Sequence, residues 1–591
     1  MSFWEELRRR HVVRNAIGYT AVSWLTLQIA DILLNNLAAP DWVFPVLLLS
    51  LAAGLVATVI LSWVFQWTPR GLKRQLDLDQ PEPWLIDATQ QGASAGESKE
   101  FDGTGRGKSS PPLRNKRQND GSPSIVVLPF VNRSDDPSNE YFSDGLTEEI
   151  IADLTGIKAL SVISRTSSML LKGTNKDLCT IGQDLDVRYV LEGSVRKAGP
   201  DLRITAQLVD AANDGQLWSE KFSGTVDDIF EVQERVSREI VRALDITLTA
   251  DESQKLAEHP IADARAFELY LRARTDLRQL VGDAVDRVPE YLAEAIEIEG
   301  ETPPLLALKA WSLVSSVKAG ISRDHKPLDD AMNIALQLIT QSPELPYGFA
   351  ILGFISYERG QLQDASKYLS RAIIASPNDT DALFYLAATY FASGHGEGAA
   401  ETARRMVACD PLSPISWMIS GAVPWFLNGR FEEGLSDLQH ALALDPNSYF
   451  IHWHIGYAYA AVGQLDKAAT HAAFLASVGP DMPYTEQLLA LIDALENRPQ
   501  QAIDRISAVD VAPLDGHTTF HLAEPLMVAG AKEQALDLLE GVVESGFYPY
   551  RFFAEYCPFM GSLRSEQRFE TILARSKQQT EAFMQAELAG I

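Results

Sequence analysis

Cysteine is scarce in this chain. Only Cys179, Cys409 and Cys557 occur in 591 residues, far apart, with no CxxC pair and no histidine at ligand spacing around them. A disulfide framework and a zinc site of ordinary spacing are both excluded. Positive charge is short as well: 51 Lys and Arg stand against 79 Asp and Glu, a net charge of -28. An acidic body repels phosphate backbones, so nucleic acid is not an expected partner. No histidine occurs between residues 124 and 248, which rules out a Ser-His-Asp arrangement inside that stretch. Apolar residues are not scarce. At 46% they suffice for folded cores, and the length allows several domains.

Residues 1–75 differ in kind, with seven Arg and Lys against four Asp and Glu, and are expected to form a membrane anchor. Asn15 to Leu37 and Val43 to Phe65 are apolar runs of about bilayer length, and the second is free of charge. Gln28 and Asp31 interrupt the first. Arg8, Arg9, Arg10 and Arg14 precede it, Arg70, Lys73 and Arg74 follow the second, and the loop between carries no Lys or Arg. A hairpin of two transmembrane helices, about 15–37 and 43–65, follows as the expectation, with the lipid bilayer as partner. Both ends then face the cytoplasm from the inner membrane; if only one helix spans, the body lies on the periplasmic side. Residues 76–122 lose hydrophobic pattern and gain Gly, Ser, Pro and Gln, the composition of a disordered linker. Its GTGRGKSS string is not a phosphate loop, because Asp102 stands where the first glycine is required and no strand leads into it.

A small α/β domain with a mixed sheet is expected over 123–250. IVVLPF (125–130) reads as a buried strand, and Asp144 stands where it would cap a helix through LTEEIIADLTG, with Gly145 relaxing the turn. LSVISR reads as a second strand, and RYVLEGSVRK, DLRITAQLVDA and QLWSEKFSG as three more, joined at hairpin-type breaks. A helix at about 226–248 closes the domain.

The remainder keeps time. Pro343, Pro377, Pro411, Pro446 and Pro480 are spaced 34, 34, 35 and 34 residues apart, and Gly360, Gly394, Gly429 and Gly463 each lie 17 residues before the next of them. Ala365, Ala399, Gly434 and Ala468 follow those glycines by five. A helix-turn-helix unit accounts for all three series, with glycine at the inner turn, a small residue where the helices pack, and proline past the end. Roughly eight units are expected across 264–550, with 551–591 as a capping helix.

These positions resemble the tetratricopeptide repeat. The strings SIVVLPFVNRSDDPSNEYFSDGLTEEII, VISRTSS, DVRYVLEGSVRK, LRITAQLVDA and LWSEKF resemble the TolB-amino-terminal-like domain that precedes such repeats in many bacterial proteins, of a group sometimes labelled adenylate cyclases or CadC-like transcriptional regulators. The resemblance implies a multidomain protein: an N-terminal transmembrane helical hairpin, a small α/β mixed-sheet domain and a C-terminal all-α solenoid. Its implied role is a membrane-tethered scaffold that binds protein or peptide partners in the repeat groove. The alternative is an accessory subunit of a transcription or cyclic-nucleotide system.

An enzyme is not expected, because Glu148 and Glu149 are adjacent on a helix and point apart. No cofactor or metal is expected either. His452 and His454, two apart on a helix, do not converge on one ion, and read as a repeat-face residue and a packing residue. Candidate partner anchors are Tyr357, Tyr390, Trp417, Trp425, Trp453 and Tyr457. A candidate pocket in the α/β domain is drawn from Asp144, Arg165 and Ser167, at the carboxyl ends of its strands.

Overall fold

The computed structural model describes residues 65–68, 71–74, 123–279, 284–318, 326–512 and 514–590. The chain divides into two compact units, 1–112 and 113–591. In the first unit Phe65–Thr68 (β1) pairs antiparallel with Gly71–Arg74 (β2). Aromatic residues and threonine favour strand.

The transmembrane hairpin is therefore corrected. Among the described residues no helix is long and apolar enough to cross a membrane, and Phe65, the last residue of the second apolar run, belongs to a strand. Residues 15–37, the remainder of that run and the linker at 76–122 lie outside the described residues. The inner-membrane location and the bilayer contact rested on the hairpin, and they are withdrawn with it.

In the second unit Ser124–Val127 (β3), Val131–Asn132 (β4), Ser161–Val162 (β5), Tyr189–Ala198 (β6), Asp201–Asp210 (β7) and Gly215–Thr225 (β8) form one mixed sheet. The order is β5-β3-β6-β7-β8, with β4 paired to β6. β3 runs parallel to β5 and β6, while β6, β7 and β8 form an antiparallel meander. Alternation decides the faces. Ile125, Val127 and Leu191 meet Phe142, Leu146, Ile150, Val236 and Ile240 on one side, from the helices Glu140–Thr155 and Ile229–Ala243. Val126, Ile163 and Val190 meet Ile181 on the other, beside the short helices Arg165–Leu170 and Leu178–Asp184.

Asp144 does not cap a helix. The helix begins earlier, at Glu140, because Tyr141 and Phe142 already supply buried side chains to the core, and Asp144 lies inside it paired with Lys172 Nζ at 2.6 Å. Gly145 has a packing role in place of a turn role: a Cβ there would press on Leu271 at 2.7 Å. Leu271 lies on the first helix of the repeat region, so the α/β core and that helix are continuous.

Eight helix pairs follow among the described residues, from Ala264–Gln279 with Ala284–Glu299 to Gly516–Ala529 with Lys532–Glu544. The turn glycines Gly360, Gly394, Gly429 and Gly463 all take positive φ, between 66° and 80°, a conformation costly for any residue with a Cβ. After the last pair come a π-helical turn at Phe552–Tyr556, a 3-10 turn at Met560–Leu563 and the helix Gln567–Gly590. This tail doubles back along the array. The Gly360 turn abuts Ser545 and Gly546, the Gly394 turn abuts Pro549, and the Gly429 turn abuts Tyr556.

Candidate functional site: the repeat surface and its joint to the sheet domain

The α/β domain is fixed to the repeats by a small polar lock. Ser164 caps the Arg165–Leu170 helix, its side chain accepting from Ser167 N at 3.2 Å. Asp410, at the end of a repeat, reaches the same turn: its Oδ1 accepts from Ser164 Oγ at 2.5 Å, Ser167 N at 3.0 Å and Ser167 Oγ at 2.6 Å. Ser167 Oγ also accepts from Leu412 N at 2.9 Å, and Ser164 N donates to Cys409 O at 2.7 Å. One repeat earlier, Asn378 Nδ2 donates to Val162 O at 2.8 Å, covering the edge strand β5. Burial pushes the Asp410 carboxyl up, and the serine hydrogen bonds oppose that push. Buried polar groups with all these partners specify one docking geometry.

Arg165 turns away from this lock and pairs through Nε with Glu148. Arg274, on the first repeat helix, approaches Glu148 Oε2 at 3.1 Å and Glu149 at 2.6 Å. Beside them Glu268 accepts from Tyr141 Oη at 2.5 Å and from Arg272 at 2.9 Å, and pairs with Lys197 at 3.3 Å. Burial alone would raise the Glu268 carboxyl; these donors outweigh it and hold it at about 2. Of the three residues drawn as a pocket, Ser167 is buried in the joint, Arg165 lines it, and Asp144 pairs with Lys172.

The six aromatic candidates divide by burial. Tyr357 is half-buried with its ring 5.8 Å from Tyr385, and half-buried Trp417 donates Nε1–H to Pro411 O at 2.7 Å. Tyr390 is buried against Phe583 of the tail and donates to Glu587 at 3.2 Å. Trp425, Trp453 and Tyr457 are fully enclosed. Trp453 Nε1 donates to Gln487 at 2.8 Å, and Trp425 lies 4.9 Å from Tyr457, centroid to centroid. The tail packs beside this cluster and reaches Tyr457. Phe552 stacks on Phe426 at 4.0 Å, Phe559 lies 6.0 Å from Tyr457, and Tyr548 N donates to Ala392 O at 2.8 Å.

Two participants were inconspicuous in the sequence. Asp410 stands in an Asp-Pro pair that recurs at Asp445-Pro446, so it reads as an ordinary repeat end. Glu524 is wholly buried, accepting from Tyr457 Oη at 2.5 Å with His521 Nδ1 at 2.7 Å, and burial drives its carboxyl well up while lowering His521 to about 3. Burial thus disfavours the charged form of each partner in this contact. The only signal was a carboxylate in the apolar string HLAEPLMVAG.

Residues 356–419 match the family model of the tetratricopeptide repeat. The middle of the array is built of tetratricopeptide repeats. Residues 121–239 match the second domain of the HilA/YgeH-like transcriptional regulators. Among curated proteins the chain is 37% identical over 227 residues to a Rhizobium meliloti (strain 1021) protein provisionally named adenylate cyclase 3. The match takes in 38% of this chain and 39% of that protein, so the chain spans about two fifths of the relative's length. A thermophilic tetratricopeptide repeat protein from Thermus thermophilus is similar at 25% identity, covering 31% of this chain and 99% of that one, with a TM-score of 0.28. One from Parabacteroides merdae is similar at 12% identity, covering 45% and 100%, with a TM-score of 0.34.

Proposed function

We propose that this chain is a protein-binding scaffold of a signalling system, in which the tetratricopeptide array presents the partner surface and the sheet domain, TolB-like in its strings, is a rigid attachment to it. The array itself carries this reading: stacked helix pairs offer long surfaces for an extended peptide or a partner helix. The tail packs against the inner turns of three repeats and against Tyr457, and Trp425, Trp453 and Tyr457 are all buried. The partner surface then falls on the rim, where Tyr357 and Trp417 are half-buried and Phe450 is 49% exposed. Tyr390, Trp425, Trp453 and Tyr457 act beneath that rim as support. Arg165 and Ser167 hold the joint, with Asp144 behind them.

A photo-crosslinking residue placed at Tyr357, Trp417 or Phe450 in the full chain should trap one recurrent protein partner in its host cell, while the same residue at exposed Leu217 of the sheet domain should not. Equal labelling at all four positions would sink the reading. A second reading is favoured by the regulator match over 121–239 and by the name of the Rhizobium relative: an accessory subunit for transcription or cyclic-nucleotide signalling. Both readings leave this chain without a reaction of its own. Turnover of ATP by the purified chain with a divalent metal would overturn them together.

A further inference from the structure

The repeat formed by Tyr449–Ala461 and Leu465–Val478 places two histidines face to face, His452 on the first helix and His471 on the second. Their Nδ1 atoms are 3.0 Å apart. His452 Nε2 lies 3.1 Å from the carbonyl oxygen of Pro446. A carbonyl can only accept, so His452 carries its proton on Nε2 and turns the bare lone pair of Nδ1 toward His471. The ring is held in that orientation by Phe474, stacked on it at 3.7 Å with planes 14° apart. A ligating imidazole is usually oriented in this way, with its second nitrogen donating to a backbone carbonyl.

Both rings are partly exposed, so an ion can reach them. Asp445 is near enough to act electrostatically on His452 and adds negative charge beside the pair.

The spacing selects among ions. With metal–nitrogen bonds of about 2.05 Å, nitrogens 3.0 Å apart subtend roughly 94° at the metal. A tetrahedral site would need them about 3.3 Å apart. Angles near 90° belong to tetragonal, square-planar and octahedral coordination, and imidazole in such a geometry favours Cu²⁺ and Ni²⁺.

We propose that His452 and His471 form a two-imidazole site for divalent copper or nickel on the rim of the array. Among the described residues no cluster of three or more His, Cys, Asp or Glu is arranged to hold a metal, so water fills the remaining positions. On binding, both Nδ1 lone pairs bond the ion, and the proton that His471 shares from Nδ1 moves to its Nε2 through solvent. No net proton is released.

The test is titration of the purified full chain with CuCl₂, NiCl₂ and ZnCl₂, read by calorimetry and, for copper, by electron paramagnetic resonance. The wild type should take up one equivalent of Cu²⁺ with a two-nitrogen signature and bind Ni²⁺ more tightly than Zn²⁺. His452→Asn and His471→Asn should each weaken copper binding at least about tenfold, whereas His440→Asn, an exposed histidine elsewhere on the array, should leave it unchanged. Far-UV circular dichroism establishes that the variants are folded. Copper binding unchanged in both folded variants overturns the site. So does a wild type lacking the one-equivalent, two-nitrogen species, whatever the variants do, or one preferring Zn²⁺ over Ni²⁺.

Discussion

Asp153 shows how a single buried group sets a pH dependence. It lies between the helices Glu140–Thr155 and Ile229–Ala243, accepting from Gln233 Nε2 and Ser237 Oγ, each at 3.2 Å. Burial, reinforced by the charge of Glu149, pushes its carboxyl up to about 7 from 3.8. Between about pH 7 and pH 4 the folded state therefore holds a proton that the unfolded chain lacks, and this group adds stability as pH falls through that window. Asp153→Asn abolishes the dependence. Urea denaturation should find wild type gaining on the variant by on the order of 2–4 kcal/mol between pH 8 and pH 4; a pH-independent difference would refute the assignment. The histidines teach a related lesson. Spacing along one helix could not reveal that His452 meets His471 across a turn, since that meeting depends on how two helices pack, while His454 turns to Phe450 O at 2.8 Å.

At the scale of elements, the parts set by local chemistry were legible and the parts set by packing between distant segments were not. Turn glycines and following prolines mark every helix pair from 346 to 480, because positive φ and a missing N–H are constraints of the local backbone. The meander β6–β7–β8 was equally legible from alternation and turn residues. The joint was not, since Ser164 and Asp410 are 246 residues apart and each is unremarkable alone. Nor was the burial of Trp425, Trp453 and Tyr457, which depends on packing between repeats and, at Tyr457, on Phe559 of a tail that returns to the array. Two turn glycines separate these effects. Gly463 has φ 78° and nothing within 4 Å of an added Cβ, whereas at Gly360, φ 69°, a Cβ would overlap the Ser545 carbonyl. Gly463→Ala should cost about 1–2 kcal/mol, the left-handed conformation alone. Gly360→Ala should cost clearly more, by at least about another 1 kcal/mol, because the clash is with backbone that cannot swing aside. Equal losses in denaturant melts would mean that the tail does not pack there.

At the scale of the second compact unit, sheet domain, repeats and tail behave as one body. The sheet core runs into the first repeat helix through Leu271, the Asp410 lock ties the domain to the middle of the array, and Phe547, Phe552, Phe553 and Phe559 lie within the repeats' own hydrophobic core. Each buried phenylalanine contributes about 1.5–3 kcal/mol relative to exposure, so the tail is part of the fold rather than a removable occupant of the groove. A scaffold built this way offers partners its rim on a fixed frame. Hydrogen exchange on the full chain tests this most directly, at the amides of Tyr548, bonded to Ala392 O, and of Ser164, bonded to Cys409 O. Both should exchange as slowly as the interior amides of the Tyr449–Ala461 helix, since they open only when the body opens. Exchange at either within seconds, while that helix stays protected, would show a tail or a sheet domain moving on its own and would contradict the single-body account.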